Sequence, residues 1–309
     1  MAEDLTDLDV IIIGGGPAGL SAALWCANLG MRALVFEKEA EFGGQLLLTF
    51  NAIKNHLGVE AADGRELCAR FLQHIDTANV RRMVGASVES VDLVMKTVIL
   101  TDGSRHSAKS LIIATGVRRR KLEVPGEEEF RGNGILESGE RDKEKMSGKR
   151  VMIVGGGDAA LENAFILSAT ATKVIVVHRR DAFSARDEFI QAARQRRNIE
   201  FVMDSRVAAI VGGEAVVGVE VDDLESGTRS KIDVDAVLIR IGVVPNTEIF
   251  RGQVALDDAG YICIDAACRT NIEAVFAAGD AASPAIPTIS NAIGHGAAAA
   301  KLAAELLVP

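Results

Sequence analysis

Two glycine-rich hexapeptides constrain the fold of this chain more than any other feature. Residues 14–19 read GGGPAG and residues 155–160 read GGGDAA. Each follows a short run of Val and Ile, opens a stretch with helical periodicity, and is answered by a second apolar run, at residues 32–36 and 173–177. This order of strand, glycine loop, helix and strand predicts two βαβ units with parallel strands. The predicted fold is α/β, with two doubly wound, three-layer Rossmann-like domains.

The same loops predict where dinucleotides bind. Their glycines permit a tight turn and a close approach of backbone to a pyrophosphate, and the helix that follows presents free N–H groups to the phosphates. In the first unit Glu37 ends the second strand, where its carboxylate can accept hydrogen bonds from ribose hydroxyl groups. In the second unit His178, Arg179 and Arg180 stand there instead, and arginines suit the 2′-phosphate of NADPH. Two dinucleotides on one chain predict electron transfer between them.

Composition and charge exclude several classes of function. The 309 residues leave room for about two domains. The net charge of -9 argues against nucleic acid or an anionic membrane as the main partner. No stretch is long and apolar enough to span a bilayer, and residues 1–4 (MAED) lack the basic character of a secretory signal, so we expect a cytoplasmic protein. Histidines and carboxylates show no metal-ligand spacing, so we expect no metal.

Three further motifs make the chain resemble a known family. They are residues 43–45 (GGQ), 114–116 (ATG) and 278–280 (AGD). With the first glycine loop, and over almost the whole chain, they resemble the low-molecular-weight thioredoxin reductase family of flavoproteins. The resemblance implies FAD as the first cofactor, NADPH as the second, and a homodimer. It also implies a discontinuous FAD-binding domain, residues 1–117 and 245–309, with an NADPH-binding domain, residues 118–244, inserted into it.

The resemblance also implies a set of site residues. Arg186 follows Ser184, where the family often has a further arginine, and we expect Arg186 to replace it. Thr288 and Ile289 would bring backbone N–H groups, at the start of the last helix, to the flavin pyrimidine ring. The residues implied for FAD are Gly14, Gly16, Pro17, Ala18, Gly19, Glu37, Lys38, Gly44, Gln45, Asn55, Ala114, Thr115, Gly116, Gly279, Asp280, Thr288 and Ile289. Those implied for NADPH are Gly155, Gly156, Gly157, Asp158, Ala159, Ala160, Glu162, His178, Arg179, Arg180, Arg186, Ile241 and Gly242.

One departure from the family changes the expected function. The positions that match the family's redox-active Cys-x-x-Cys fall at Ser138 and Arg141, and the four cysteines of the chain form no such pair anywhere. Thiol–disulfide exchange requires a thiolate. We therefore expect an NADPH-dependent FAD oxidoreductase that passes electrons from the flavin directly to an acceptor. Family relatives without the cysteines imply a ferredoxin or flavodoxin as that acceptor, and a small molecule such as a quinone or oxygen is the alternative.

Two other functions remain open from the sequence. One is a dithiol reductase that uses Cys263 and Cys268 outside the usual motif. The other is a non-catalytic redox sensor that binds FAD and NADPH as signals. Hydride transfer requires placement of the two rings rather than an acid or base, so the sequence names no catalytic residue.

Several other segments carry weaker expectations. Residues 117–150 are polar and are predicted to connect the domains, and within them residues 118–121 (RRRK) are either a solvated connection or a docking surface for an acidic carrier. Trp25 is expected in the core. Phe50, His56 and His295 are candidates for positions near the flavin, with ordinary packing as the alternative reading.

Overall fold

The computed structural model describes residues 8–78 and 80–307. Its strands are β1 (Leu8–Ile13), β2 (Ala33–Phe36), β3 (Arg81–Met83), β4 (Val88–Asp92), β5 (Thr97–Leu100), β6 (Arg105–Ile113), β7 (Val117–Arg119), β8 (Ile135–Leu136), β9 (Arg150–Val154), β10 (Lys173–Val177), β11 (Ile199–Val202), β12 (Ser205–Gly212), β13 (Val216–Asp223), β14 (Arg229–Ile232), β15 (Ala236–Ile239), β16 (Val243–Pro245) and β17 (Val275–Ala277). Its α-helices are α1 (Pro17–Asn28), α2 (Gly64–Asp76), α3 (Gly139–Asp142), α4 (Asp158–Leu167), α5 (Asp187–Arg194) and α6 (Ile289–Leu307).

Within the described ranges no helix combines the length and the apolar character needed to cross a membrane. Residues 1–4, on which the cytoplasmic expectation rests in part, lie outside them.

The chain forms two compact units. The first contains residues 1–118 and 244–309, and the second contains residues 119–243. The boundaries fall inside β7 and β16, one residue from the divisions at 117/118 and 244/245 that the family resemblance implies.

The first unit is built on a seven-stranded sheet. Its order is β3-β2-β1-β6-β5-β4, with β17 also paired to β6. The central strands β2, β1, β6 and β17 are parallel. In β1, Val10 and Ile12 pack on the face covered by α1 and α6, while Ile11 and Ile13 pack on the opposite face. This burial on both faces explains the continuous apolar run in the sequence.

The second unit also has three layers. Its central sheet has the order β11-β10-β9-β15-β8 and is parallel throughout. In β9, Val151 and Ile153 pack with residues of α4 and α5, whereas Met152 and Val154 pack against the antiparallel sheet β12-β13-β14. Helices therefore cover one face of the parallel sheet and a second sheet covers the other.

Two expectations from the sequence are wrong. Residues 117–150 are not merely a connection, because Ile135 and Leu136 pair with Val237 and Leu238 and add β8 to the second unit's sheet. Trp25 is 38% exposed rather than buried. Ala18, Ala22 and Ala23 of α1 are buried in the cluster shared with α6, whereas the larger indole of Trp25, on the same helix, remains partly exposed.

Candidate functional site

The first glycine loop lies at the point where the strand order of its sheet reverses. It follows β1, the strand between β2 and β6, and Pro17 starts α1 directly after Gly16. Gly14 has φ +111°, and a Cβ there would lie 2.3 Å from the carbonyl oxygen of Ala114 at the end of β6. A Cβ on Gly16, by contrast, would meet no atom closer than the Cα of Gly44, at 3.9 Å. Gly14 is therefore required by the protein's own packing, whereas Gly16 leaves its backbone accessible, as a pyrophosphate requires.

Glu37 connects this loop to the end of β2. The residue is buried, and its Oε2 accepts a hydrogen bond from the backbone N–H of Gly15 at 2.8 Å. Its Oε1 accepts from the N–H of Glu39 at 2.9 Å. Each carboxylate oxygen has a further lone pair, so Glu37 can also accept from a ribose hydroxyl. Lys38 beside it is exposed and pairs with Glu39 at 3.6 Å.

The end of β6 is fixed by a residue that sequence reasoning missed. Thr115 donates from Oγ1 to the carbonyl oxygen of Asn246 at 2.7 Å, and Asn246 donates from Nδ2 to the carbonyl oxygen of Thr115 at 2.8 Å. Gln45, in the 3-10 turn that starts at Gly44, donates from Nε2 to the carbonyl oxygen of Val117 at 2.8 Å. The turn at residues 114–116 is thus held from both sides. No local pattern points to Asn246, because 131 residues separate it from Thr115.

The last predicted part of this site lies between β17 and α6. Asp280 is half-buried in the 3-10 turn Gly279–Ala281, and burial raises the pKa of its carboxyl group. Among the described residues no side chain donates to this carboxylate, so it is an acceptor suited to hydroxyl groups of a ligand. Thr288 accepts from the N–H of Asn291 at 3.1 Å, which caps α6 directly before Ile289.

The remaining candidates of the first unit are less well defined. Asn55 is exposed in the loop that follows Ile53. His56 shares a hydrogen bond through Nδ1 with Ser290 at 3.1 Å. Burial lowers the pKa of His295, whose Nδ1 has no hydrogen-bond partner among the described residues. The expectation that Phe50 lies near the flavin stays a prediction.

The second glycine loop repeats the geometry of the first. It follows β9, which lies between β10 and β15, and α4 begins at Asp158. Gly155 has φ +145°, and a Cβ there would lie 2.0 Å from the carbonyl oxygen of Arg240 at the end of β15, directly before Ile241 and Gly242. A Cβ on Gly157 would meet only Ser184 Oγ, at 3.8 Å. Gly155 and Gly157 thus reproduce the relationship of Gly14 to Gly16. Ala159, Ala160 and Glu162 follow in the first turns of α4.

The basic residues after β10 divide into two groups. Arg179 and Arg180 are exposed, and no carboxylate of the described residues forms an ion pair with either. Arg186 instead donates from its backbone N–H and its Nε to the carboxylate of Asp158, at 2.8 and 2.7 Å, and pairs with Glu188 at 2.7 Å. The structure therefore leaves the charges of Arg179 and Arg180 available to a ligand and largely neutralises that of Arg186.

His178 packs against the second loop. Its ring lies where a Cβ on Gly156 would be 2.4 Å away, and its Nε2 lies 3.1 Å from the carbonyl oxygen of Ala182. Burial, together with the charges of Arg180 and Arg179, lowers the pKa of His178. A neutral ring that donates from Nε2 fits this environment.

The segment at the family's cysteine positions is held by a buried carboxylate. Ser138 precedes α3, and Asp142 ends it. The Oδ2 of Asp142 accepts from the N–H groups of Glu137 and Ser138 at 3.0 and 3.2 Å, and its Oδ1 pairs with Nε of Arg141 at 3.3 Å. The two positions that the resemblance assigns to a dithiol thus carry a hydroxyl, that of Ser138, and a guanidinium, that of Arg141.

The four cysteines are all free thiols. Burial raises the pKa of Cys26 to about 12 and that of Cys268 to about 11, and it also raises the pKa of Cys68. Cys263 is exposed. Because the thiolate is the reactive form, the three buried cysteines are poor nucleophiles.

The basic run at residues 118–121 is largely exposed, as a solvated connection would be, but its side chains form ion pairs. Arg118 hydrogen-bonds Asn246 Oδ1 at 2.9 Å and pairs with Glu248, and Lys121 pairs with Glu128 at 2.7 Å. Most of its charge is therefore already paired. Whether this run also receives an acidic carrier stays a prediction.

Comparison with known proteins agrees with the fold. The family described as "Pyridine nucleotide-disulphide oxidoreductase" matches residues 8–296. Thioredoxin reductase of Mycolicibacterium smegmatis is 37% identical over 306 residues, covering 97% of this chain and 96% of that protein. A 34.2 kDa protein in the rubredoxin operon of Clostridium pasteurianum is 32% identical and covers 97% of each. The crystal structure of Lactococcus lactis thioredoxin reductase in its FR conformation superposes with a TM-score of 0.86 at 33% identity, covering 97% of this chain and 99% of that one.

These similarities extend over both units and include both glycine loops. Proteins of this thioredoxin reductase-like group are flavoprotein oxidoreductases that use FAD and NADPH. The chain belongs to the pyridine nucleotide-disulphide oxidoreductase family.

Proposed function

We propose that this protein is an NADPH-dependent FAD oxidoreductase that delivers electrons from the flavin to an acceptor without a redox-active disulfide. The first unit holds FAD through the loop at Gly14–Gly19, Glu37, and Asp280. The second holds NADPH through the loop at residues 155–160 and through Arg179 and Arg180. FAD supplies the redox chemistry by accepting a hydride from NADPH and releasing electrons to the acceptor.

The absence of a Cys-x-x-Cys pair is the observation that carries this proposal. Ser138 and Arg141 occupy its positions, and the neighbouring Asp142 is already bonded to two backbone N–H groups and to Arg141. No thiol is available in this segment to take electrons from the flavin. An acceptor must therefore receive them directly.

The remaining cysteines give little support to the alternative dithiol reductase. Cys268 is buried with a raised pKa, whereas Cys263 is exposed, so the two do not share the environment of a reactive pair. Thiol–disulfide exchange at neutral pH favours thiols whose pKa is near the ambient pH.

The residues of each unit contribute placement rather than acid–base chemistry. Gly16 and Gly157 let the backbone approach a pyrophosphate, and the N-termini of α1 and α4 supply N–H groups and a favourable dipole. Asp280 offers an acceptor to ligand hydroxyls. The start of α6 after Thr288 provides N–H groups that favour negative charge on a bound ring.

The acceptor we propose is an electron carrier of the ferredoxin or flavodoxin type or a small molecule. One relative is described by its place in a rubredoxin operon, which supports a carrier. Other relatives are thioredoxin reductases, whose name states thioredoxin as the partner. Reduction of a disulfide in this chain's acceptor would require a thiolate, which Ser138 and Arg141 do not supply. A homodimer in solution is proposed on family grounds alone.

Anaerobic stopped-flow mixing tests the proposal. The FAD-loaded protein is mixed with NADPH and then with ferredoxin, flavodoxin, a quinone, or a thioredoxin disulfide. We expect loss of flavin absorbance with NADPH and its recovery with one of the first three acceptors. Recovery with the disulfide alone would contradict the proposal.

A further inference from the structure

Three arginines surround the segment that replaces the dithiol. Arg119 at the end of β7 donates from Nη1 to the carbonyl oxygen of Glu137 at 2.7 Å, and Arg240 after β15 donates from Nη2 to the same oxygen at 2.5 Å. Because one oxygen accepts both bonds, the two donor nitrogens lie within about 5 Å of each other. Arg141 is the third member. Burial, together with the positive charge of Arg141, lowers the pKa of Arg119.

Among the described residues, the hydrogen-bonded and ion-paired groups around this segment include three guanidinium groups and the carboxylates of Glu137 and Asp142. Arg119 pairs with the carboxylate of Glu137 at 3.1 Å, and Arg141 pairs with Asp142 at 3.3 Å. The guanidinium of Arg240 has backbone carbonyls as its hydrogen-bond acceptors, those of Ile239 and Glu137. Burial, together with the charge of Arg119, lowers the pKa of Arg240 to about 10. Half-buried like charges at this separation repel each other unless an anion lies close by.

The cluster lies where an α/β sheet usually binds ligands. Arg240 follows β15 and Glu137 follows β8, two adjacent parallel strands. The carbonyl oxygen of Arg240 also contacts Gly155 of the glycine loop after β9. All three strands thus end at one edge, outside which ligands of such sheets bind.

Holding the backbone at Glu137 in place does not by itself explain why arginines, rather than neutral side chains, lie there. The carbonyl oxygen of Glu137 needs only neutral donors, which glutamine or asparagine could supply without the cost of burying two cations. Guanidinium groups are suited to carboxylate and phosphate because their fork of N–H donors matches two oxygens.

We propose that Arg119, Arg141 and Arg240 form a binding site for an oxyanion, the carboxylate or phosphate group of a small electron acceptor. That the bound anion belongs to an electron acceptor rests on the proposed function. The anion is distinct from the phosphates of NADPH, which the glycine loop, Arg179 and Arg180 bind.

Calorimetry on the FAD-loaded full chain tests the site. Citrate and inorganic phosphate serve as separate probes at low ionic strength, in titrations without NADP⁺ and with saturating NADP⁺. Arg240→Gln and Arg119→Gln remove a charge but retain a neutral donor for the Glu137 carbonyl, and Arg141→Gln removes a charge that does not contact this carbonyl. Arg206→Gln, on β12, is the matched control, since Arg206 is 66% exposed and pairs with Asp222.

We expect at least one probe to bind, with its dissociation constant raised about tenfold by each cluster variant and unchanged by Arg206→Gln. Absence of binding by both probes, or an equal effect of Arg206→Gln, would overturn the inference. Loss of binding when NADP⁺ is added would also overturn it, because the arginines would then serve the coenzyme. Flavin reduction by NADPH, measured separately on the same samples, distinguishes failure of the proposed function from failure of this site.

Discussion

Glu37 accepts a hydrogen bond from the backbone N–H of Gly15 at 2.8 Å, although 22 residues separate them in the sequence. The bond fixes the first glycine loop to the end of β2, and the carboxylate has capacity left for a ribose. Gly16, the next residue, is the one at which the loop leaves room for a ligand. Because Glu37 fixes the loop at Gly15 while Gly16 has free space beside it, a small substitution at Gly16 can test the proposed FAD site.

Gly16→Ala should weaken FAD binding without unfolding the first unit. The residue has φ -78° and ψ -175°, which alanine adopts, and its Cβ would meet no protein atom closer than 3.9 Å. The methyl group would instead occupy space that a pyrophosphate needs, and loss of one charged hydrogen bond corresponds to about a tenfold rise in dissociation constant. FAD titration followed by fluorescence measures this. Gly213→Ala, also without close neighbours, is the control and should bind FAD like the wild type.

Arg179→Ala and Arg180→Ala should raise the Michaelis constant for NADPH about tenfold or more, and that for NADH much less. Both side chains are exposed and lack carboxylate partners among the described residues, so they can bind a 2′-phosphate. Steady-state kinetics with both coenzymes checks this.

Arg186→Ala provides a comparison within the same motif. Its N–H donors are engaged by Asp158 and Glu188, so a smaller effect on NADPH is expected. Equal effects of all three substitutions on NADPH and NADH would mean that none of these arginines recognises the 2′-phosphate.

Cys263→Ser and Cys268→Ala should leave turnover per bound flavin unchanged within about twofold, because no electron passes through sulfur in our account. Activity is normalised to flavin content, since Cys268 is buried and its replacement can lower the yield of folded protein. Loss of turnover in either variant at full flavin occupancy would favour the dithiol alternative.

Asp9 should make the first unit more stable at neutral pH than in acid. Burial raises the pKa of its carboxyl group, but hydrogen bonds from Arg32 and Lys109 outweigh this and hold the pKa well below its usual value. The stabilisation is fully present above the unfolded-state pKa, about 3.9, and is lost as the pH falls through the lower folded-state pKa.

Asp9→Asn should therefore lower the free energy of unfolding by about 1 kcal/mol at pH 7, a modest value because both cations are partly exposed. The difference from the wild type should shrink as the pH is lowered towards 2. Urea unfolding at both pH values measures it, with Asp258→Asn at an exposed site as the control. A difference that does not depend on pH would rule out a contribution from ionisation.

The parts of this fold that depend on local sequence could be predicted. The last helix, whose start is expected at Thr288 and Ile289, is α6, which begins at Ile289. The run of Val and Ile before the first glycine loop forms β1. Both glycine loops lie where the sequence predicts them, because Gly14 and Gly155 adopt positive φ values that favour glycine.

The parts of the fold that depend on residues distant in the sequence could not be predicted. The burial of α1 residues depends on α6, which is 264 or more residues from Trp25 in the sequence, and the exposure of Trp25 therefore does not follow from its local pattern. Ile135 and Leu136 form a strand only because Val237 and Leu238 present an open edge. The arginines at residues 119 and 240 meet at the carbonyl oxygen of Glu137, which no local pattern indicates.

Anaerobic titration of the FAD-loaded protein with NADPH, followed at the flavin absorbance band, tests the central claim most directly. Our account predicts that about one NADPH per flavin bleaches the band completely, because the flavin is the only group that takes up electrons. Uptake of about four electrons per flavin would show a second, disulfide-like acceptor in the chain and contradict the account. A flavin that NADPH leaves oxidised would contradict it as well.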